Sequence, residues 1–151
     1  MLGLTKREIS NIHLAMNLAK DGSNYSKCVR SKVGSVIITP SEGFYLGING
    51  TLAGEDNVCE IVLDSGELQT HDGVIHAEAN ALDKTHSEGI SAKNCISVQT
   101  LSPCKSCITR MLNVGVKLIV YLDEYRNTEH LVKYVSDGYV ISYKDFCTKY
   151  K

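Results

Sequence analysis

The chain has 151 residues, of which 43% are hydrophobic and 22% charged, with a formal net charge of −1 at pH 7. This length and composition indicate a soluble globular protein, and we take residues 1–151 as one domain. The near-neutral charge argues against a general nucleic-acid surface, and no apolar run approaches the roughly 18 residues of a membrane helix. The N-terminal sequence MLGLTKREIS lacks the apolar stretch of a secretory signal, so we expect a cytoplasmic protein.

Hydrophobic periodicity predicts helices and strands along the chain. The predicted elements, in chain order, are a helix over 5–20, strands over 33–39 and 44–49, a loop over 50–75, a helix over 75–84, a strand over 95–100, a helix over 103–114, a strand over 117–122, a helix over 128–136, a strand over 139–143 and a short helix over 144–150. Thr5, three residues ahead of Glu8, is a candidate N-cap for the first helix, which should end near Asp21-Gly22.

The order of these elements predicts the topology of the sheet. The first two strands are separated by the turn sequence Pro-Ser-Glu-Gly and should form an antiparallel hairpin. The later strands alternate with helices, which is typical of parallel strands joined by crossovers. We therefore expect an α/β fold in which a single mixed five-stranded sheet is flanked by helices on its two faces. The polar stretch 50–75 is long for a loop in a compact domain, and such loops are usually functional.

Six cysteines stand at positions 28, 59, 95, 104, 107 and 147. In a secreted chain this number would suggest three disulfides, but without a secretory signal we expect reduced thiols or metal ligands. The close pair Cys104 and Cys107 follows Pro103, a residue suited to the first turn of a helix. The positive end of the helix dipole helps to keep such thiolates ionised, so this pair is a candidate for metal binding.

His76 completes a candidate catalytic zinc site with this pair. Catalytic zinc commonly has three protein ligands and leaves a fourth position to water, and His76, Cys104 and Cys107 offer one nitrogen and two thiolates. Zinc in such a site lowers the pKa of its bound water to about 7. Glu78 can take the proton and then deliver it to a ring nitrogen and a leaving amine. The combination H-x-E and P-C-x-x-C is a known signature of zinc-dependent deaminases.

Five short segments carry a family resemblance. They are SKCVRSKVGSVII (26–38), GING (47–50) followed by Gly54 and Asn57, HAEANAL (76–82), LSPCKSC (101–107) and the Asp-Glu-Tyr of 123–125. They resemble the cytidine deaminase superfamily and, more narrowly, the deoxycytidylate (dCMP) deaminases of the phage type. The resemblance implies a cytidine deaminase-like fold and a hydrolase that converts dCMP and water to dUMP and ammonia, at a cyclic amidine C–N bond, in pyrimidine nucleotide biosynthesis.

The resemblance also implies binding residues and regulation. Asn49 would hold the deoxyribose, the backbone of Ala77 and the Ser102 turn would read the base edge, and Tyr125, or alternatively Tyr121, would line the nucleotide pocket. The Asn49 amide can both donate and accept at a sugar hydroxyl, although Asn-Gly is also a common turn sequence. The family further implies a homohexamer that dCTP activates and dTTP inhibits, with Mg²⁺ accompanying the triphosphate.

Two further sets of residues have two readings each. Arg30 and Lys32 are candidates for attracting a phosphate and equally for solvated surface charges. Some phage dCMP deaminases carry a second, structural zinc, and Cys28, Cys59 and His71 are candidate ligands for one here. The sequence offers no convincing fourth ligand, and the alternative is that both cysteines are reduced, partly buried thiols.

Other functions remain open at this point. A tRNA adenosine deaminase shares these motifs, but binding tRNA calls for a basic face that the near-neutral composition does not suggest. A deaminase of free cytidine would need no phosphate pocket. A non-catalytic zinc-binding module would close the His76, Cys104 and Cys107 site with a fourth protein ligand, and Glu78 would then be a surface carboxylate.

Overall fold

The structure is a computed structural model that describes residues 3–151. The helices are α1 (Lys6–Ser23), α2 (Ala77–Ser87), α3 (Lys105–Asn113), α4 (Leu131–Ser136) and α5 (Tyr143–Lys149). The strands are β1 (Gly34–Ile38), β2 (Phe44–Ile48), β3 (Glu60–Val62), β4 (Leu68–Thr70), β5 (Ile96–Leu101), β6 (Leu118–Asp123) and β7 (Val140–Ser142). Within residues 3–151, no helix is both long and apolar enough to cross a bilayer.

The mixed five-stranded sheet predicted from the sequence is confirmed, with strand order β2-β1-β5-β6-β7. Strands β5, β6 and β7 are parallel, as the alternation with helices indicated. β1 is antiparallel to β2, as predicted, and also to β5, which the sequence analysis did not foresee. The reason is that α2 is a crossover from β2, so β5 runs in the direction of β2 and meets β1 from its other side.

Strand β1 shows how the sheet separates two hydrophobic cores, because successive side chains point to opposite faces. Val36 packs with Met16 of α1 and Phe146 of α5. Ile37, the next residue, packs on the other face with Leu82 of α2 and with apolar residues of α3 and β6. α1 and α5 therefore cover one face, and α2, α3 and α4 cover the face that carries the site described below.

Helix α1 begins where the sequence predicted, at a capping box. The Thr5 hydroxyl accepts a hydrogen bond from the Glu8 backbone N–H at 3.1 Å, and the Glu8 carboxylate accepts one from the Thr5 N–H at 2.8 Å. Lys117, at the start of β6, pairs with the same carboxylate. Glu8 therefore takes part in the N-terminal cap of α1 and also attaches the helix to the sheet through Lys117.

Glycine at position 47 of β2 allows α2 to lie directly on the sheet. A β-carbon at Gly47 would lie 2.2 Å from the Ala77 carbonyl oxygen and 2.3 Å from the Ala81 nitrogen. Both contacts are far inside van der Waals distance, so another residue there would push the helix away. Asn80 adds to the attachment, since its Nδ2 donates to the Ile48 carbonyl at 2.7 Å.

The segment 50–75, which we expected to be a loop, contains a small antiparallel hairpin of β3 and β4. Gly66 lies in its turn with φ of +84°, a backbone conformation that favours glycine. The strands have three residues each and are largely exposed, so no buried alternating pattern marked them in the sequence. The Asp-Ser-Gly-Glu turn between two apolar residues was the one available signal.

Candidate active site

The candidate site lies where the N-termini of α2 and α3 meet beyond the ends of the central strands. His76 is the N-cap of α2, and Cys104 is the N-cap of α3. A β-bridge between Gly50 and Ile75 fixes the backbone just before His76, with N–H to O distances of 3.1 and 2.8 Å. The two metal-ligand motifs, 28 residues apart in sequence, are therefore brought together by backbone that is held on the sheet.

The three candidate ligands have the spacing of a metal site. The His76 Nδ1 lies 3.7 Å from the Cys104 sulfur and 3.5 Å from the Cys107 sulfur. Zinc–ligand bond lengths in tetrahedral geometry place a nitrogen and a sulfur about 3.6 Å apart. The ligand atoms of these residues and Glu78 all lie within 4.8 Å of one another, and no other such group of three or more occurs within residues 3–151. The donor set and its geometry therefore fit zinc.

The two thiols of the site share their hydrogen bonds unequally. Hydrogen bonds from the Cys107 thiol and from His76 lower the pKa of Cys104 to about 3. The same contact with Cys104, together with burial, raises the pKa of Cys107. The hydrogen bond with Cys104 also raises the pKa of His76, in spite of the opposing effect of burial. A cation bound among them would take over the role of these shared protons, because thiolates are the species that ligate metal.

Glu78 is a buried carboxyl group beside these ligands. It is 5% exposed, and burial raises its pKa above the usual value, against the lowering effects of its own backbone N–H and of Cys107. A buried carboxyl with a raised pKa is suited to accepting and returning a proton. Its position on the first turn of α2 follows directly from the spacing His-x-Glu.

A cavity of about 480 Å³ opens over these residues. This volume lies within the range of small-molecule sites. His76, Glu78 and Cys104 line it, together with the polar residues Arg30 and Asn49. The cavity therefore adjoins a metal-ligand set and a proton-accepting group, and it is large enough for a small molecule such as a nucleotide.

All the residues predicted to bind substrate line this cavity except the alternative tyrosine. Asn49, Ala77, Ser102 and Tyr125 are among the lining residues. Tyr121 is 5% exposed in the core, where its hydroxyl donates to Glu124 at 3.3 Å, so the structure favours Tyr125 as the tyrosine at the cavity.

Asn49 and Ser102 also hold the walls of the cavity in place. The Asn49 Oδ1 accepts from the Val33 N–H at 2.8 Å, and its Nδ2 donates to the Ser31 carbonyl at 2.7 Å. The Asn49 side-chain oxygen can accept one further hydrogen bond, and its nitrogen can donate one more. The Ser102 hydroxyl accepts from the Tyr125 N–H at 2.8 Å. Both side chains therefore brace the backbone around the cavity.

The two basic candidates for a phosphate separate in the structure. Arg30 lines the cavity, and its Nη1 donates to the Thr70 hydroxyl at 3.2 Å. Lys32 is exposed and donates to the Ser26 carbonyl at 2.8 Å. Of the two, Arg30 is the one whose charge faces the site.

Four cavity residues outside the family segments were missed by the sequence analysis: Thr70, Val74, Asn127 and His130. The first two come from the hairpin end of segment 50–75, and the other two from the loop before α4. The predicted helix 128–136 begins only at Leu131, which leaves 124–130 free to line the cavity. The length of the segment 50–75 was the sequence signal for the first two residues, and the Asp-Glu-Tyr of 123–125 lay just before the other two.

Cys28 and Cys59 form a disulfide in the structure, with an S–S distance of 2.14 Å. This corrects the expectation of reduced thiols or metal ligands at these positions, because the fold brings the two α-carbons to 5.1 Å. The ring of His71 lies close by but bonds the Val58 carbonyl at 2.6 Å through Nε2. A second zinc at Cys28, Cys59 and His71 requires free thiolates, so for the reduced protein it stays a prediction.

Comparison with known proteins gives consistent results. Residues 9–123 match the family described as the cytidine and deoxycytidylate deaminase zinc-binding region. The deoxycytidylate deaminase of Schizosaccharomyces pombe is 27% identical over 122 residues, which cover 76% of this chain and 38% of that protein. The deoxycytidylate deaminase of Enterobacteria phage T4 is 28% identical over 140 residues, which cover 68% of this chain and 72% of that protein.

Solved structures agree with the sequence matches. The dCMP deaminase of cyanophage S-TIM5, in complex with dCMP and dUMP, superposes with a TM-score of 0.76 at 33% identity. The superposition covers 92% of this chain and 98% of that one. By contrast, the chain spans only about two fifths of the yeast deoxycytidylate deaminases that it matches, 38% and 41% of their lengths.

Proposed function

Because the chain belongs to the family of cytidine and deoxycytidylate deaminases, we propose that it hydrolyses the exocyclic amine of dCMP to give dUMP and ammonia. The observation that carries the proposal is the convergence of His76, Cys104 and Cys107 beside the buried Glu78, at a cavity that His76, Glu78 and Cys104 line. Similarity to the cyanophage enzyme, whose structure holds dCMP and dUMP, supports the choice of substrate.

The ligand set supports zinc as the metal, and Glu78 is the group that we propose for proton transfer. Zinc, held by His76, Cys104 and Cys107, would supply a Lewis acid that makes a water molecule acidic near neutral pH. Glu78 accepts protons from the attacking water and passes one to the ring nitrogen and one to the leaving amine. The atoms balance, since the oxygen of water replaces the amine on the ring and its two hydrogens end on the ring nitrogen and on ammonia.

Burial of Glu78 suits this task. A carboxyl with a raised pKa holds a proton more readily than one in water, which favours the protonated state needed midway through the reaction. One carboxyl group can serve both transfers, because the reaction first removes a proton from water and then returns one.

Arg30 supports a phosphorylated substrate over a nucleoside. Its guanidinium is exposed at the cavity wall, and the Thr70 hydroxyl holds it there. A guanidinium matches the oxygens of a phosphate with two parallel hydrogen bonds. Asn49, with one donor and one acceptor position left, is placed to meet a sugar hydroxyl, and Tyr125 to cover the nucleotide.

Regulation and assembly belong to the same proposal and rest on the family resemblance. We infer a homohexamer activated by dCTP and inhibited by dTTP, with Mg²⁺ bound alongside the triphosphate. We also infer that residues 1–151 act as a single deaminase domain in the cytoplasm.

The proposal is tested by following the ultraviolet spectrum of dCMP with zinc-loaded protein. Cytidine and a tRNA are assayed in parallel, and a second dCMP reaction contains dCTP and Mg²⁺. Conversion of dCMP, with little action on the other two substrates, is the expected result. Turnover only in the presence of dCTP would support the regulatory inference as well. Turnover of cytidine or tRNA instead of dCMP would reassign the substrate, and no turnover of any of them would favour the non-catalytic zinc module.

A further inference from the structure

The turn that carries Cys104 is held by hydrogen bonds to residues outside the ligand motif. Its backbone groups would otherwise lack partners, because the turn lies between the end of β5 and the start of α3. The Ser102 N–H donates to the Asp123 carbonyl at 2.8 Å. The carbonyl of Pro103, the residue directly before Cys104, accepts a hydrogen bond from the His130 Nε2 at 2.8 Å.

His130 comes from a part of the chain that the family match does not reach. The match ends at residue 123, and His130 lies in the loop that follows, immediately before α4. The next residue, Leu131, is 3% exposed and anchored in the core with α2 and α3. The ring is therefore attached to the same core as the turn that it contacts, and it lines the cavity.

The geometry fixes the chemical state of the contact. A carbonyl oxygen can only accept, so the His130 Nε2 carries the hydrogen. The peptide unit is planar, so the Pro103 carbonyl and the Cys104 nitrogen lie in one rigid plane. Holding the oxygen of that plane therefore restrains the Cys104 nitrogen, and with it the backbone from which the ligating side chain departs.

Gln99 makes a similar contact with the backbone carbonyl at the end of β5. Its Nε2 donates to the Leu101 carbonyl at 2.9 Å, and its Oε1 accepts from the Ser97 hydroxyl at 3.2 Å. Gln99 and Ser97 are both fully buried on the face of the sheet beneath α2 and α3. A buried amide at this place costs desolvation free energy that an apolar residue would avoid, unless its hydrogen bonds are made.

We propose that His130 is a positioning residue for the metal site, which acts through the Pro103 carbonyl to hold Cys104 in ligating position. Gln99 restrains the same turn through the Leu101 carbonyl. Partners of this kind typically change metal affinity by about 10- to 100-fold when removed. The role concerns metal retention, and only its effect on turnover rests on the proposed deamination of dCMP.

The test compares His130→Phe, which keeps the ring and removes the donor, with His130→Gln, whose amide nitrogen can reach the same carbonyl. His86→Phe is the matched control, since His86 is exposed at the far end of α2. Zinc affinity is measured by competition with a chromogenic chelator, thermal stability by circular dichroism, and kcat and KM with dCMP.

We expect His130→Phe to lose about 10- to 100-fold in zinc affinity, with kcat falling more than KM rises in the zinc-saturated protein. His130→Gln should restore most of both, and the control should match the wild type. If His130→Phe retains zinc as tightly as the wild type, or if Gln gives no rescue, the proposal is wrong. Gln99→Met gives a second check, since it should also weaken zinc binding. A protein that shows the affinity change but never deaminates dCMP would contradict the proposed function and leave the positioning role standing.

Discussion

The molecule contains two cysteine pairs with opposite fates. Cys104 and Cys107 are three residues apart at the start of α3, and their sulfurs both face the His76 ring. Cys28 and Cys59 are 31 residues apart in sequence and are bonded to each other. In the first pair a helix start directs two side chains towards a common point, whereas in the second the fold brings two distant backbones face to face. The sequence spacing of Cys104 and Cys107 could therefore predict a metal-binding pair, whereas the Cys28–Cys59 disulfide becomes visible only in the folded chain.

The largest difference between the two pairs should appear when a thiol is removed. Cys104→Ser is expected to abolish zinc binding and turnover and to lower the melting temperature, because metal binding is coupled to folding at such sites. Strong chelators should have the same effect on the wild type. Cys147→Ser, in α5 away from the site, is the matched control for loss of a thiol. Unchanged activity and melting after the metal has been stripped would contradict a zinc-dependent reaction.

The next largest effect concerns the residue that separates a catalytic site from a merely structural one. Glu78→Gln should lower kcat by about 10²- to 10⁴-fold, because the amide cannot carry the proton. Zinc content, measured by atomic emission, should stay at one per site. Unchanged turnover in this variant would contradict the proton-transfer role, whereas loss of zinc would identify Glu78 as a fourth ligand of a closed site.

The second pair should matter for stability more than for chemistry. Replacing Cys28 and Cys59 by alanine removes a cross-link between residues with a sequence separation of 31. The variant should lose about 3–4 kcal/mol of unfolding free energy, because its unfolded chain is less constrained. Urea denaturation under non-reducing conditions measures the difference, and reduced wild type should approach the variant. Thiol titration should find two blocked cysteines, and metal analysis should find one zinc per chain. Two zinc ions with all thiols free would instead support the second zinc at Cys28, Cys59 and His71.

A smaller effect is expected at Arg30, which lines the cavity. Arg30, two residues after Cys28, should contribute through the substrate phosphate, since hydrogen bonds to charged groups are worth about 1.5–3 kcal/mol. Arg30→Ala should therefore raise KM for dCMP by roughly 10- to 100-fold and leave deoxycytidine turnover unchanged. Lys27→Ala removes an exposed charge nearby and serves as the control. Equal losses for both variants would indicate a general electrostatic effect in place of a phosphate contact.

Much of the fold could be predicted because its signals are local. The β-branched run at β1, the capping box at Thr5 and the alternation of helices with strands each depend on a few neighbouring residues. The cluster of candidate metal ligands could be predicted for the same reason, since H-x-E and P-C-x-x-C are short motifs at the starts of two helices.

The remainder depended on contacts between distant segments. The β3–β4 hairpin is short and exposed, so it leaves no periodic pattern in the sequence. The disulfide and the Arg30–Thr70 contact both require that hairpin to fold back on the approach to β1. His130 was hidden because the loop before α4 was predicted as helix, and its partner, a backbone carbonyl, has no sequence signature.

The bare backbone at Gly47 has a wider consequence for how this site tolerates change. A methyl group there would have to displace the Ala77 carbonyl by roughly 1 Å to reach ordinary contact distance. The Ala77 carbonyl lies between His76 and Glu78, so the displacement would tilt a metal ligand and the proton carrier together. Misplacements of about this size can cost on the order of 100-fold in rate. The missing side chain at Gly47 therefore sets how close α2 lies to the sheet, and with it the positions of His76 and Glu78.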